Sequence, residues 1–179
     1  MNILVLGGGG REHALCWSIL KSKKCKKVFC IPGNGGISEI VECINIEPTK
    51  RKILNFCKKN KIHLVIIGPE KFLDEGYSDY LHKEEILVFG PKKNASKLET
   101  SKIFTKKFLK KNQIPTASYR SFNTSIKAAA YINKNNPPFV IKVNGLAEGK
   151  GVIISKNKKH AIKNVIEILD KKKLGKTTN

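Results

Sequence analysis

Ile3-Leu4-Val5-Leu6-Gly7-Gly8-Gly9-Gly10-Arg11-Glu12-His13-Ala14 is the stretch on which the fold turns. Four apolar residues without a polar interruption read as a strand buried on both faces, as in the middle of a parallel sheet. Four glycines remove every Cβ from the turn that follows, so its backbone is free to take positive φ and to let a ligand approach closely. The pattern predicts a helix over residues 11–21, with Leu15 and Ile19, and Cys16 and Leu20, as pairs four apart on its inner side. The open N–H groups and positive dipole end of that helix point back into the glycine turn. Strand, glycine turn and helix N-terminus together predict a cradle for a phosphate or a carboxylate.

Spacing separates this cradle from two familiar nucleotide loops. The dinucleotide fingerprint G-x-G-x-x-G fits Gly7 and Gly9 but meets Glu12 where its third glycine should stand. The second strand, 28–31, runs into Pro32-Gly33-Asn34-Gly35-Gly36 with no acidic residue to hold a ribose. A later loop, 145–151, resembles a phosphate-binding Walker loop, yet it has three residues between Gly145 and Gly149-Lys150 and carries Gly151 where Ser or Thr would hold magnesium. That loop also lies between two strands. A glycine-rich hairpin of this kind can fold over a triphosphate as a flap, with Lys150 neutralising charge. Lys142, inside an apolar strand, either faces an anion or lies on the solvent side of a half-exposed sheet; the residues alone leave both open.

Length and composition bound the rest. A chain of 179 residues suits one large domain or two small ones, and 40% hydrophobic content suffices for a core. No apolar run is long enough to span a membrane, and a strand at the very start leaves no room for a signal peptide. The cysteines, Cys16, Cys25, Cys30, Cys43 and Cys57, stand singly in predicted elements without C-x-x-C spacing, as reduced thiols do in a cytosolic protein, so a structural zinc is not expected. The net charge of +21 invites a nucleic-acid reading. Against it, only Arg11, Arg51 and Arg120 are arginine, the residue that bidentate phosphate and base recognition favours, and the lysines are spread over every helix. Solvated helix faces are the better account, and no specific nucleic acid is expected.

In order, the chain alternates strand and helix: an apolar stretch at 41–46, a helix at 49–60 with Ile53, Leu54 and Cys57 on one face, a strand at 64–67 ending in Gly68-Pro69-Glu70, a weak helix at 77–83, and a strand at 87–89 closed by Gly90-Pro91. This is the pattern of an α/β fold with a doubly wound parallel sheet, whose ligands sit beyond the carboxyl ends of the strands. The glycine turn, the Pro32 loop and Gly68-Pro69-Glu70 all fall at such ends and should converge on one crevice. Ser101 is placed to cap a helix over 102–111 whose inner face is Ile103, Phe104, Phe108 and Leu109. Ile114-Pro115 ends it and opens an extended segment, 117–122. A second, small α+β unit follows: a helix at 125–133, a strand at 139–143, the glycine hairpin, a strand at 152–155, a helix at 158–169 and a polar, frayed tail at 171–179.

Seven motifs in order carry a family resemblance. They are Val5-Leu6-Gly7 with Gly9-Gly10-Arg11-Glu12-His13-Ala14, Pro32-Gly33-Asn34-x-Gly36, Gly68-Pro69-Glu70-x-x-Leu73, Phe89-Gly90-Pro91, Leu98-Glu99-x-Ser101-Lys102, Ile114-Pro115-Thr116-Ala117, and Lys142-x-Asn144-Gly145-Leu146-Ala147-x-Gly149-Lys150-Gly151-Val152. Together they resemble the phosphoribosylamine–glycine ligases of the ATP-grasp superfamily, over all but the last few residues. The resemblance implies an ATP-dependent ligase of de novo purine synthesis that joins glycine to 5-phosphoribosylamine through a glycyl phosphate, releasing ADP and phosphate.

What the resemblance implies for residues agrees with the reading above. Gly8, Gly9, Gly10, Arg11, Glu12, Pro32, Gly33, Asn34, Gly36, Pro69 and Glu70 would bind phosphoribosylamine, its phosphate on the helix N-terminus and its ribose hydroxyls on Glu70. Lys102, Lys142, Gly145, Leu146, Gly149, Lys150 and Gly151 would bind ATP, the hairpin closing as a lid. The implied organisation is a substrate-binding domain over 1–100, a linking helix over 101–116 and a partial ATP-grasp lid over 117–179. ATP and Mg2+ or Mn2+ are the implied cofactors, the metal ligands lying outside this chain, since the family continues past this point with the main ATP-grasp half and a C-terminal domain. Two lid residues depart from the family: Asn144 stands where Asp is usual, and Glu148 where a small residue is common. The expected partners are the small substrates, no membrane and, for a split enzyme, a separate C-terminal portion; the expected location is cytoplasmic. The expectation for the chain alone is no turnover. The alternatives are another ATP-grasp carboxylate–amine ligase and a non-catalytic nucleotide-binding remnant.

Overall fold

The computed structural model describes residues 1–147 and 151–171. The chain divides into two compact units, Met1–Lys97 and Leu98–Asn179.

The first unit is built on a five-stranded sheet in which every pairing is parallel, in the order β3-β2-β1-β4-β5. The strands are β1 (Asn2–Gly7), β2 (Lys27–Pro32), β3 (Glu42–Cys43), β4 (Leu64–Ile67) and β5 (Val88–Phe89). The central strand is the apolar run that opens the chain, and its Leu4, Val5 and Leu6 are fully buried. Period-two alternation then sorts side chains between two cores. Ile3, Val5, Val28, Cys30 and Ile66 face one side, with Cys16 of α1 (Gly10–Leu20) and Ile37 of α2 (Gly35–Ser38). Leu4, Leu6, Phe29, Ile31, Val65 and Ile67 face the other, where α3 (Lys50–Lys59), α4 (Glu70–Asp74) and α5 (Tyr77–Lys83) pack. Helices thus cover both faces, which is why the central strands read as unbroken apolar runs.

The helix starts follow local chemistry. Thr49 caps α3 by accepting from the Lys52 amide, and Asn34 caps α2 by accepting from the Ile37 amide at 2.9 Å. On α1, Cys16 is buried but Leu20 is 44% exposed, so the inner side is narrower than the paired spacing predicts. The helices α2 and α4 were not legible as elements in the glycine and proline loops that contain them.

The helix α6 (Lys93–Thr100) runs across the division between the units, and the second unit continues with α7 (Lys102–Lys111), α8 (Ser125–Lys134), β6 (Phe139–Lys142), β7 (Val152–Ser155) and α9 (Lys158–Leu169). The strands β6 and β7 pair antiparallel, Phe139 opposite Ser155 and Lys142 opposite Val152. Phe139 and Ile141 join a core made by Ala128 and Ile132 of α8 with Ala161 and Val165 of α9. The opposite face carries Val140, Lys142, Val152 and Ile154, all exposed.

One expectation for this unit is corrected. No residue of α7 is buried, and Phe104 and Phe108 are exposed, stacked on each other with centroids 6.5 Å apart. Residues 117–122 lie in neither helix nor strand, and Lys106 of α7 donates to the Thr116 hydroxyl at 2.6 Å and to the Ala117 carbonyl at 2.8 Å, which ties the start of this segment to α7. Among the described residues no helix is long and apolar enough to cross a membrane.

Candidate functional site

The glycine turn at the end of β1 is shaped by the chain around it. Gly7 has φ of +126°, and a Cβ there would stand 2.6 Å from Glu12 Cγ and 2.8 Å from Pro69 Cδ. A Cβ on Gly8 would stand 2.5 Å from the Gly33 carbonyl oxygen. One on Gly9 would stand 3.0 Å from Glu12 Oε2, whereas one on Gly10 would meet nothing within 4 Å. Gly7 and Gly8 are therefore required by close approach of the protein to itself, and Gly9 fits tightly against the Glu12 carboxylate. Gly10, exposed at the first position of α1, opens the helix amides to a ligand.

Three turns at the carboxyl ends of β1, β2 and β4 meet here. The Gly33 amide donates to the Gly7 carbonyl at 3.0 Å, and the Asn34 side-chain amide donates to the Gly8 carbonyl at 2.7 Å. The Gly68 amide donates to the Leu6 carbonyl at 3.2 Å. Arg11 donates through both terminal nitrogens to Glu70, at 2.8 and 3.4 Å, and through Nε to Glu12 Oε1 at 3.2 Å. The bond from Arg11, and after it the backbone amide of Glu70 itself, hold the Glu70 carboxyl below its ordinary range, and the bond to Glu70 raises the guanidinium in turn. Gly8, Gly9, Gly10, Arg11, Pro32, Gly33, Asn34, Gly36, Pro69 and Glu70 all belong to these turns and their helix starts. Glu12 belongs to them too, but it is only 3% exposed, and its carboxylate turns inward to accept from the Gly9 amide at 2.7 Å. Two carboxylates on one guanidinium leave this trio with net negative charge, so an anion here relies on backbone amides such as those of the first turn of α1.

Two of the thiols, those of Cys30 and Cys43, lie beside the same turns. Cys30 Sγ sits 3.3 Å from the Gly7 carbonyl, and the place of a Gly33 Cβ is filled by Cys43 Sγ. All five cysteines are free. Burial pushes the Cys57 thiol up to about 12. A separate cleft of about 400 Å³ lies between α3, α5 and the start of α6, lined by Lys50, Glu75, Asp79, Tyr80, Lys83 and Lys93, and includes none of the expected site residues.

In the second unit, Lys102 opens α7 and donates through Nζ to the Gly145 carbonyl at 2.9 Å. Asn144 Oδ1 accepts from the Ile103 amide at 3.2 Å and from the Ser101 hydroxyl at 3.3 Å, so the start of the hairpin is pinned to the start of α7. Gly145 has φ of +89°, and Gly151 is buried with no room for a side chain, since a Cβ would stand 2.6 Å from the Cβ of Ala147. The Val143 amide donates to the Gly151 carbonyl at 2.8 Å, closing the hairpin. Leu146 and Lys142 are exposed. Gly149 and Lys150, the other expected ATP contacts, and Glu148 lie outside the described residues. In the sequence Asn144 stands out only as a departure from the resemblance; its capping role depends on a helix start more than forty residues earlier in the chain, which local spacing does not reveal.

The family comparison joins these two halves. Residues 1–99 match the model of the phosphoribosylglycinamide synthetase N domain, and residues 100–179 that of the ATP-grasp (A) domain of the same synthetase. The chain belongs to the phosphoribosylglycinamide synthetase family. The phosphoribosylamine–glycine ligase of Halalkalibacterium halodurans is 40% identical over 176 residues, which are 98% of this chain and 41% of that protein. The crystal structure of the phosphoribosylamine–glycine ligase of Thermotoga maritima, 31% identical, superposes with a TM-score of 0.79 over 100% of this chain and 42% of its own. Likeness in fold alone extends to the N5-carboxyaminoimidazole ribonucleotide synthetase of Thermus thermophilus, at 18% identity and a TM-score of 0.67, over 93% of this chain and 44% of that one. The chain thus spans about two fifths of the synthetase-family relatives it matches, and corresponds to their N-terminal region. Among the described residues no group of three His, Cys, Asp or Glu side chains is placed to hold a metal ion.

Proposed function

We propose that this chain is the part of a phosphoribosylamine–glycine ligase that binds phosphoribosylamine in its first unit and engages ATP phosphates from its second. The observation that carries the reading is the meeting of three turns at the carboxyl ends of β1, β2 and β4 around the open N-terminus of α1. That is where an open α/β sheet takes its ligand. The first-turn amides of α1 receive the sugar phosphate, and Glu70, kept ionised by Arg11, accepts from ribose hydroxyls. Lys102 and Lys142 carry the charge that ATP phosphates need, and Gly145, Leu146 and Gly151 belong to the hairpin that Lys102 holds through the Gly145 carbonyl.

In the reaction so assigned, the glycine carboxylate attacks the terminal phosphoryl group, giving glycyl phosphate and ADP; the amine of phosphoribosylamine then attacks the acyl carbon and phosphate leaves. The carboxylate is already a nucleophile at neutral pH, so this step asks the protein for positioning and charge neutralisation. The described residues do not fit Mg2+. A span of 41% of a curated relative supports the reading that these 179 residues alone do not complete the ligation.

The test has two arms. Calorimetric titration of the chain with ribose 5-phosphate should show binding that Glu70→Gln weakens; no binding by the native chain would remove the substrate assignment. Phosphate release with ATP, magnesium, glycine and phosphoribosylamine should be absent for the chain alone and appear when the remaining portion of a relative is supplied in trans. Turnover by the chain alone at ~1–10³ s⁻¹ would overturn the claim of inactivity.

A further inference from the structure

Glu12 presents a problem in physical chemistry. It is a carboxylate at 3% exposure, beneath a turn read as an anion site, where a buried negative charge is costly and opposes the ligand. The surroundings show what offsets that cost. Oε2 accepts from the Gly9 amide at 2.7 Å, and Oε1 accepts from Arg11 Nε at 3.2 Å. Charge-assisted bonds of this kind are roughly twice as strong as neutral ones. Glu12 is also the third residue of α1, so it makes the backward half of a capping box, in which a Glu reaches back to the N-cap amide. The N-cap is Gly9, which has no side chain to return the bond, so the carboxylate alone fixes this helix start.

The slot that holds it comes from two different turns. A Cβ on Gly7 would stand 2.6 Å from Glu12 Cγ, and one on Gly9 would stand 3.0 Å from Oε2. A Cβ on Gly68 would overlap Oε1 outright. Gly68 does not have positive φ, so its lack of a side chain answers to space and not to backbone conformation. One carboxylate therefore fills the gap between the turn after β1 and the turn after β4, and it orients the guanidinium that reaches on to Glu70.

We infer that Glu12 is a positioning residue: it makes no contact with the ligand but locks the two turns, the Gly9 amide and Arg11 into the arrangement that binds a phosphorylated sugar. The inference rests on the phosphoribosyl reading for its ligand and on geometry for the lock itself. Glu12→Gln keeps an acceptor for Gly9 but sets an NH2 group against Arg11 Nε, so Arg11 is released from one side while the fold is retained. Glu12→Ala empties the slot, and Gly68→Ala fills it with a methyl group.

The experiment compares thermal melting, calorimetric titration with ribose 5-phosphate, and hydrogen exchange of the Gly9 amide across the native chain and these variants. Glu12→Gln should melt within a few degrees of the native chain yet bind about tenfold more weakly, which corresponds to about 1.4 kcal/mol. Gly68→Ala should lower the melting temperature in the native background and much less in the Glu12→Ala background, where the methyl group has the vacated slot. The double variant should remain at least tenfold weaker in binding, because filling space does not restore the bond to Gly9. Native affinity in both Glu12→Gln and the double variant would overturn the inference. Failure of the native chain itself to bind ribose 5-phosphate would defeat the ligand assignment instead. Gly9 exchange would then decide the lock: slower exchange in the native chain than in Glu12→Ala upholds it, and equal exchange overturns it.

Discussion

At the scale of single residues, the glycine turn does two jobs that composition cannot separate. Gly7 and Gly8 lack side chains because Glu12, Pro69 and Gly33 occupy the space, and Gly9 fits closely against the Glu12 carboxylate, whereas Gly10 faces open solvent. Gly10→Val should therefore leave the melting temperature nearly unchanged and weaken ribose 5-phosphate binding about tenfold or more, about 1.4 kcal/mol, as read by calorimetric titration. Gly8→Val should instead unfold or distort the unit. Glu70 supplies a pH-dependent prediction. Its carboxyl is held below the ordinary value by Arg11, so its contribution to stability is full at neutral pH and is lost as pH falls through and below the ordinary carboxylate range. Denaturant titrations of the native chain and Glu70→Gln should differ at pH 7 and converge toward pH 3; a difference that grew on acidification would contradict the Arg11 pairing.

At the scale of elements, legibility followed hydrophobic period. The strand at Leu64–Ile67 and the helices at Tyr77–Lys83 and Lys102–Lys111 stand where periodicity and capping predict them. The helices α2 and α4 escaped because four and five residues carry no period to read. Phe104 and Phe108 misled for the opposite reason: they have helical spacing, but a period cannot say whether a facing layer exists, and both are exposed. The convergence of three turns was legible from their shared place at strand ends. The inward direction of Glu12 and the cap from Asn144 were not, since each depends on a partner set by tertiary packing. Asn144 gives the prediction for this scale. Asn144→Ala should cost about 1 kcal/mol of unfolding free energy in the second unit, in the range of a lost helix cap. Asn144→Asp should be neutral or stabilising, because a carboxylate accepts the same Ile103 amide and suits the positive end of α7. Thermal melts followed by circular dichroism would check both.

At the scale of the whole chain, 35 basic residues face 14 acidic ones, and charge rather than packing is the adjustable quantity. Self-repulsion at a net charge of +21 destabilises a compact state, and added salt screens it over ~8–10 Å. The melting temperature should rise as sodium chloride is raised from 20 to about 300 mM, opposite to the trend of a chain held by surface ion pairs. The same charge should bind duplex DNA weakly and without sequence preference, at ~10⁻⁴–10⁻⁶ M at physiological salt; sequence-selective binding in a competition gel shift would show that the lysines form a reading surface.

The contact of Gly8 with the Gly33 carbonyl has a consequence for heredity. Purifying selection on it acts through folding, so it would persist in a descendant that had lost every catalytic duty but still needed a stable first unit. Gly10 and Glu70 would drift first in such a lineage, and Gly8 and Gly33 last. A random-substitution library sorted once for folded chain and once for ligand capture should reproduce that order in days, with position 8 depleted in both sorts and position 10 in the second alone.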